Sequence, residues 1–432
     1  MDSLLNAVSV IFWGLVMFSL IVVVHEAGHY TVARLCGMRV KEFMIGLPGP
    51  NIGFKAFGTK FGITPFLLGG YALIAGAQQE EQSPTLARSL GILATSGSVS
   101  GAAAAECQSV LGYDFESDLD QLYDWGTIER KRLKGDDCIY SMPADGDFAQ
   151  GQPRTLSDVD ALIEAERRVT YCGAPWFKRV LMLLAGAAFN LIFAIVVFSA
   201  ALMYMGDTQP ADPWRVEQVV AASPAATAGL QAGDQLLALD GQRFNSWNEF
   251  SALTATLSPG QEVVVSVLRG GQNQDFLCTL GDKDGKAFLG ISPTTKRVPV
   301  SFGQAISRSV GFVGIVAGAI AQLFNPATFT TMVGQSSSVI GVSFEARNAA
   351  SDGFLSFIVL AAALSISIGL MNLLPLPPLD GGKIVLETIQ KLTRRALPVR
   401  VINIVSVGCL CLIVLLFVVL SGQDIQRYIL GG

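Results

Sequence analysis

The sequence predicts a polytopic α-helical membrane protein of about four spans, with a membrane-associated β-hairpin and a strand-rich domain between the second and third spans. Three observations carry that prediction. The 432 residues are 51% hydrophobic and only 15% charged, a balance too apolar for a soluble chain of this size. Several long apolar stretches are each able to cross about 30 Å of hydrocarbon at roughly 1.5 Å per residue. The chain has 2 histidines, and both fall at the end of the first stretch, where polar groups are costly unless they serve a function.

The first stretch, 4–24 (LLNAVSVIFWGLVMFSLIVVV), holds no charged residue. It has no basic leader and no small-residue cleavage site, so it is expected to be kept as a membrane helix rather than removed as a signal. Further spans are expected at about 179–205, 354–374 and 400–420. The stretch 309–323 (SVGFVGIVAGAIAQL) is shorter and rich in glycine, and is expected to lie on the membrane surface. Arg34, Arg39, Lys41, Lys55, Lys60, Lys178 and Arg179 flank the segment between spans one and two. Lys383, Lys391, Arg394, Arg395 and Arg400 occupy the one between spans three and four. Both segments are therefore expected in the cytoplasm, with the termini and 206–353 outside. Cys36, Cys107, Cys138 and Cys172 then stay reduced, and Cys278 stands alone in the outer domain. A formal charge of −5 argues against a nucleic-acid partner.

The histidine string is His25-Glu26-Ala27-Gly28-His29, the H-E-x-x-H pattern. On a helix, residues four apart stand about 40° from eclipsed, so His25 and His29 can ligate one metal. Zn²⁺ suits neutral imidazoles and lowers the pKa of a coordinated water toward about 7, which makes Glu26 the candidate general base. A catalytic zinc needs a third protein ligand. Glu42 is the nominal nearby candidate, but it sits among Gly and Pro residues (KEFMIGLPGP) where a second rigid helix is not expected. The better candidate is Asp380, which follows the third long span after prolines that must break the helix.

HEAGHYTVARLCGMRVKEFMIGLP near the start and NLLPLPPLDGG near the end resemble the paired signatures of the site-2 protease family of intramembrane zinc metalloproteases, and more closely its bacterial regulator-of-sigma-factor branch. The resemblance implies that His25, His29 and Asp380 hold zinc and that Glu26 is the catalytic glutamate. It implies that Asn372, Pro375 and Pro377 help to shape the substrate path. In LAGAAFN, Ala187 stands where proline is usual, and Asn190 matches a position implied in substrate binding or oxyanion stabilisation. Lys383 stands where relatives often have histidine. The string GFKAFGTKFGITPFLLGGYALIAG between 53 and 76 reads as a hairpin and resembles the family's membrane-re-entrant β-loop ending in Gly69, Gly70 and Tyr71. A strand edge there can hold an unwound substrate helix in extended form.

Residues 212–293 contain SPAATAGLQAGDQLLALDG (223–241), then a short helix near 247–256 and strands near 262–268 and 274–280, and resemble a bacterial PDZ domain. Such a module would bind a peptide end or, as the favoured reading, screen out bulky ectodomains. Residues 78–173 are longer than the resemblance accounts for. They hold a small-residue run, an acidic patch (DFESDLD), a basic patch (ERKRLK) and one expected helix, 157–169, with Ser157 as N-cap and Asp160 at the capping-box position. A solvated insertion is expected there.

The divisions expected are 1–36 (first span and histidine motif), 37–77 (loop and hairpin), 78–174 (insertion), 175–206 (second span), 207–295 (PDZ-like), 296–350 (membrane-surface segment), 351–385 (third span) and 386–432 (fourth span and tail). The resemblance implies an inner-membrane, multi-pass protease with its site toward the cytoplasm and the PDZ-like domain outside. It would cut a single-span membrane protein already trimmed outside, such as an anti-sigma factor. Clearance of remnant signal peptides, or a non-catalytic membrane scaffold, are the alternatives.

Overall fold

The computed structural model describes residues 2–67, 69–77, 82–133, 137–146, 148–211, 215–283, 285–395 and 399–428; Leu68 of the expected hairpin and Lys134 of the basic patch lie outside them. Two compact units emerge, Met1–Phe198 with Ser307–Gly432, and Ser199–Ile306.

In the first unit, α1 (Asp2–Leu35) carries the apolar stretch through the histidine motif without a break. Then β1 (Val40–Ile45), β2 (Ile52–Ala56), β3 (Thr59–Ile63) and β4 (Gly70–Ile74) form one sheet in the order β2-β3-β1-β4. The expected hairpin is half of this. β2 and β3 do form a hairpin, turning at Phe57 and Gly58, both at positive φ. β4, however, pairs antiparallel with β1, and β1 also pairs parallel with β3. Turn residues specify a local hairpin, but nothing local specifies a strand inserted between β3 and β4.

The segment expected as a solvated insertion is folded. It runs α2 (Leu86–Ser96), β5 (Ser98–Ser100), α3 (Gly101–Leu111), α4 (Phe115–Trp125), β6 (Glu129–Arg132), β7 (Cys138–Ser141) and α5 (Val159–Arg168). Leu86, Leu90, Leu93, Phe115, Leu119, Leu122 and Trp125 bury one core. The small-residue run forms β5 and the start of α3, the acidic patch opens α4 behind N-cap Asp114, and the basic patch is β6. Phe115, Leu119 and Leu122 at helical spacing turn the acidic patch into an amphipathic helix. The N-cap of α5 is Asp158, which accepts from Ala161 N, rather than Ser157. Both types cap helices, and the carboxylate that reaches an orphan N–H takes the role. The second long apolar helix, α6 (Trp176–Met205), follows.

The second unit contains β8 (Asp207–Pro210), β9 (Val216–Val219), α7 (Pro224–Ala228), β10 (Gln235–Leu239), β11 (Gln242–Arg243), α8 (Trp247–Ala255), β12 (Glu262–Arg269), β13 (Gln272–Thr279), β14 (Gly281–Lys283), β15 (Lys286–Phe288), β16 (Ile291–Pro293) and β17 (Thr295–Val298). Its main sheet has the order β11-β10-β12-β13. Alternate residues Val263, Val265 and Val267 of β12 point into a core with Leu236, Phe250 and Cys278. Asp234 is 1% exposed and is held by Arg269 through two hydrogen bonds of 2.7 Å, and by Gln231 N at 2.8 Å.

The chain returns to the first unit through α9 (Phe302–Gln322), α10 (Phe329–Gln335), α11 (Val339–Asp352), α12 (Phe354–Asn372), α13 (Asp380–Thr393) and α14 (Val399–Tyr428). Among the described residues, five helices are long and apolar enough to cross a membrane: α1, α6, α9, α12 and α14. The stretch 309–323 is thus part of a longer helix than its apolar core suggests, because α9 begins at Phe302. Outward-facing Leu412, Leu415 and Val418 on α14 are what a helix bathed in lipid requires.

α1 and α12 run parallel: Trp13 stacks edge-on to Phe357 at 5.3 Å, and Met17 and Ile21 pack with Ala361. α6 runs antiparallel to α1, with Met182 beside His29 and Asn190 beside His25. α11 lies along α1, Gly14 against Ser343, and its N-terminus is held by Asp424 of α14, which accepts from Ser338 N (2.6 Å) and Gly341 N (3.1 Å).

Asp424→Ala would leave two buried donors without an acceptor, at a cost of roughly 1–3 kcal/mol. We expect a lower unfolding temperature in detergent and faster amide exchange across 338–346, with Asp424→Asn milder than Asp424→Ala. For Asp234, burial alone would raise the carboxyl, but the Arg269 and Gln231 hydrogen bonds prevail and hold it below its ordinary value. A lowered folded-state pKa contributes stability above the unfolded value, lost as pH falls through the folded one. Asp234→Asn should therefore lower the urea midpoint of the second unit at neutral pH, and the gap should close below about pH 4, read by pulse proteolysis with neutral and acid-active proteases.

Candidate active site

Three chain segments meet where α1 and α6 cross. Their approach depends on two glycines. A Cβ on Gly28 would strike the Ala185 carbonyl, and one on Gly186 would sit 2.5–2.7 Å from ring atoms of His25 and His29. Opposite them, the chain leaves α12 at Asn372, crosses the proline segment, and starts α13 at Asp380.

The donor atoms form a triangle. His25 Nε2 lies 3.0 Å and His29 Nε2 3.1 Å from Asp380 Oδ2, and the two Nε2 atoms lie 3.1 Å apart. A tetrahedral ion about 2.0–2.1 Å from each ligand sets ligand atoms roughly 3.3 Å apart, so this triangle need open by only about 0.3 Å. All three residues are buried, and they form a group able to hold a metal. Two imidazoles and a carboxylate are a donor set that zinc accepts, and Gly186 lets the α6 backbone come against both rings with no Cβ pressed into them. His29 Nδ1 lies 2.8 Å from the Met182 carbonyl, a contact that fixes the tautomer with Nε2 free to ligate.

Burial alone would raise the Asp380 carboxyl, but the contacts from His25 and His29 outweigh it and hold it ionised. Lys383 Nζ, one helical turn on, lies 3.4 Å from Asp380 Oδ1.

The triangle opens on a cavity of about 550 Å³ whose wall includes Glu26, Tyr71, Ala72, Tyr171, Arg179 and Glu387. Glu26 accepts a hydrogen bond from Ala72 N at 3.0 Å. β4 has one strand partner, β1, among the described residues, so Ala72 presents its N–H from the strand's free edge. Tyr71 donates to Glu42 at 2.8 Å; burial, and then that carboxylate, push its phenol above the ordinary range and keep it a neutral donor. Glu42 is thereby a strand residue outside the donor cluster.

The other residues expected at the site are distributed as follows. Pro377 and Tyr71 line the cavity; Asn372, Pro375, Gly69 and Gly70 do not. Gly69, at φ +97°, and Gly70 bring the start of β4 against Val22 of α1. Asn190 is fully buried behind His25, its Nδ2 3.5 Å from His25 Nδ1 and its Oδ1 without a partner. A half-turn of the amide exchanges the two atoms and gives the His25 Nδ1–H an acceptor.

Sequence reasoning did not single out Tyr171, Arg179 and Glu387 as one cluster. Tyr171 donates to Glu387 at 2.8 Å, and Arg179 reaches the same carboxylate at 3.0 Å. The available signal was a pair of opposite charges at the edges of apolar segments, Arg179 at the start of the second span and Glu387 just after the third.

A buried nitrogen–nitrogen–oxygen triangle, open on one side beside a strand-edge carboxylate and set among apolar helices, defines a metal-dependent hydrolase of the membrane. The chain belongs to peptidase family M50, the site-2 protease family, whose profile matches residues 13–416. "Probable protease eep" of Enterococcus faecalis is 26% identical over 96% of this chain and 98% of its own length. "Zinc metalloprotease RasP" of Oceanobacillus iheyensis is 26% identical over the same shares, 96% and 98%. The solved PDZ domain of an SdrC-like protein from Listeria monocytogenes is 30% identical over 19% of this chain and 90% of its own, with a TM-score of 0.18. The protein is a multi-pass membrane zinc metalloprotease.

Gly186→Val should abolish zinc binding, because its side chain must occupy space against both imidazoles. Metal analysis of the purified protein should fall from about one zinc per chain to near none, while the helical circular dichroism remains.

Proposed function

We propose that the protein hydrolyses a peptide bond in or beside the transmembrane helix of a single-span substrate, with His25, His29 and Asp380 as zinc ligands and Glu26 as general base. The observation that carries this reading is that the donor triangle, Glu26 and the free edge of β4 all face one cavity. Zinc, when bound, supplies the Lewis acidity that polarises the scissile carbonyl and acidifies water.

The chain's own residues do the rest. The edge of β4 pairs with an unwound stretch of substrate and holds its backbone extended. Glu26 takes the proton from the attacking water and passes it to the leaving amine. Asn190 keeps the His25 tautomer with Nε2 free, as an outer partner rather than a substrate contact. Pro377 and the neighbouring unwound backbone supply cavity wall at membrane depth, where only protein or water can satisfy it.

The directions of the helices support four spans. α6 ends on the side where α1 begins, and α12, parallel to α1, must start there. The segment between them thus crosses an even number of times. Since α9 is its one helix long and apolar enough to span among the described residues, α9 lies within or against the membrane without crossing. With Arg34, Lys178, Lys391 and Arg394 at one face, that face is cytoplasmic, in the inner membrane of the cell. The second unit then lies outside as a PDZ-type module that screens ectodomains, which suits a substrate already trimmed by a first cut, such as an anti-sigma factor.

The test is cleavage of a model single-span substrate by the full chain in bilayers. Glu26→Gln should reduce turnover by about 10²–10⁴-fold and keep its zinc, whereas His25→Ala and Asp380→Ala should lose both. Undiminished activity in Glu26→Gln would sink the mechanism.

A further inference from the structure

The folded insertion touches the catalytic apparatus in two places. The first is the sheet that carries β4. From β1 and the residue before it, Lys41 Nζ donates to the carbonyls of Tyr123 (2.6 Å) and Asp124 (3.3 Å), and Arg39 Nη1 to that of Trp125 (3.0 Å). These are last-turn carbonyls of α4, at the negative end of its helix dipole, which attracts cations; that of Tyr123 is shared with the N–H of the C-cap Gly126. Arg39 also pairs with Glu166 of α5 at 2.6 Å, and the Lys41 ammonium stands 4.2 Å from the centre of the Tyr123 ring. Beyond β4, Asp124 accepts from Gly76 N (3.1 Å), and Tyr171 N donates to the Ala75 carbonyl (2.8 Å).

The second place is α13. The Tyr171 hydroxyl donates to Glu387, two turns along the helix that begins with Asp380. The two halves of the site come from opposite ends of the chain, His25, Glu26 and His29 on α1 and Asp380 on α13. One residue at the end of the insertion is bonded to both the extension of β4, by its backbone, and α13, by its side chain.

We propose that the folded insertion is a clamp that sets the reacting geometry. It fixes β4 so that Ala72 N–H holds the Glu26 carboxylate, and through Tyr171 it ties that strand to the helix bearing Asp380. Arg39, Lys41, Glu166 and Tyr171 are positioning residues. The proposal rests on the reading of Glu26 as the base. Two cations of the β1 segment, Arg39 and Lys41, and two acidic side chains of the insertion, Asp124 and Glu166, thus tie the insertion to the segments on both sides of β4.

The test uses the full chain in bilayers with the model substrate, comparing wild type, Lys41→Met, Lys41→Arg, Tyr171→Phe and the Lys41→Met/Tyr171→Phe double variant. Lys41→Met and Tyr171→Phe should each lower kcat about tenfold, since small displacements of a reacting group carry penalties of that size or more. KM and zinc content should stay near wild type, amide exchange across 70–76 should accelerate, and Lys41→Arg should restore most of the loss. Faster exchange at 70–76 with unchanged kcat would overturn the clamp, as would unchanged exchange in the double variant, or zinc lost in proportion to activity. Glu26→Gln in parallel separates the two readings: its activity tests the base, while exchange at 70–76 tests the clamp independently.

Discussion

The structure depends on how closely α1 and α6 can approach. Two helices normally pack with side chains between them, at roughly 8–10 Å between axes. Here Gly28 removes the side chain from one surface and Gly186 from the other, so the backbone of α6 lies against the imidazoles themselves. That contact aligns the Met182 carbonyl with His29 and Asn190 with His25. Without it the histidines would still share a helix face, but the Met182 carbonyl would not be in place to fix the His29 tautomer. Asp380 completes the arrangement because α12, parallel to α1, delivers the proline segment to the same level.

The site is held on one side by membrane helices and on the other by β-structure. Lipid cannot hydrogen-bond to a strand, so a sheet beside the membrane needs its edges occupied or shielded. In the first unit, β2 forms one edge, with Ile52 and Phe54 exposed and apolar. β4 forms the other, and Glu26 occupies the Ala72 donor on it. Carboxylate and strand edge therefore satisfy each other.

The donor triangle is legible in the sequence because it is encoded by residue type at fixed spacing. His25 and His29 lie one turn apart, and Asp380 is a carboxylate that follows a proline-broken apolar helix. What was not legible depended on long-range register. β1 slots between β3 and β4, a pairing no turn residue announces, so a four-stranded sheet read as a hairpin. The insertion read as patches because composition hid spacing: Leu86, Leu90 and Leu93 recur at helical intervals within a mixed stretch, and Phe115, Leu119 and Leu122 do so inside the acidic one. The motif around Asn190 implies substrate binding or oxyanion stabilisation by residue type alone; its place behind His25 follows from the crossing of α6 and α1, which no local pattern announces.

The two histidine rings stand 4.7 Å apart, nearly perpendicular, and they are the 2 histidines of the whole chain. Any reporter selective for imidazole therefore has no background in this protein. Ring-nitrogen isotope labelling would yield two spin systems, both in the donor triangle, in a molecule whose size in a detergent micelle would otherwise crowd its spectra. Metal occupancy, tautomer and substrate arrival are each open to direct observation from the native side chains, with no engineered probe.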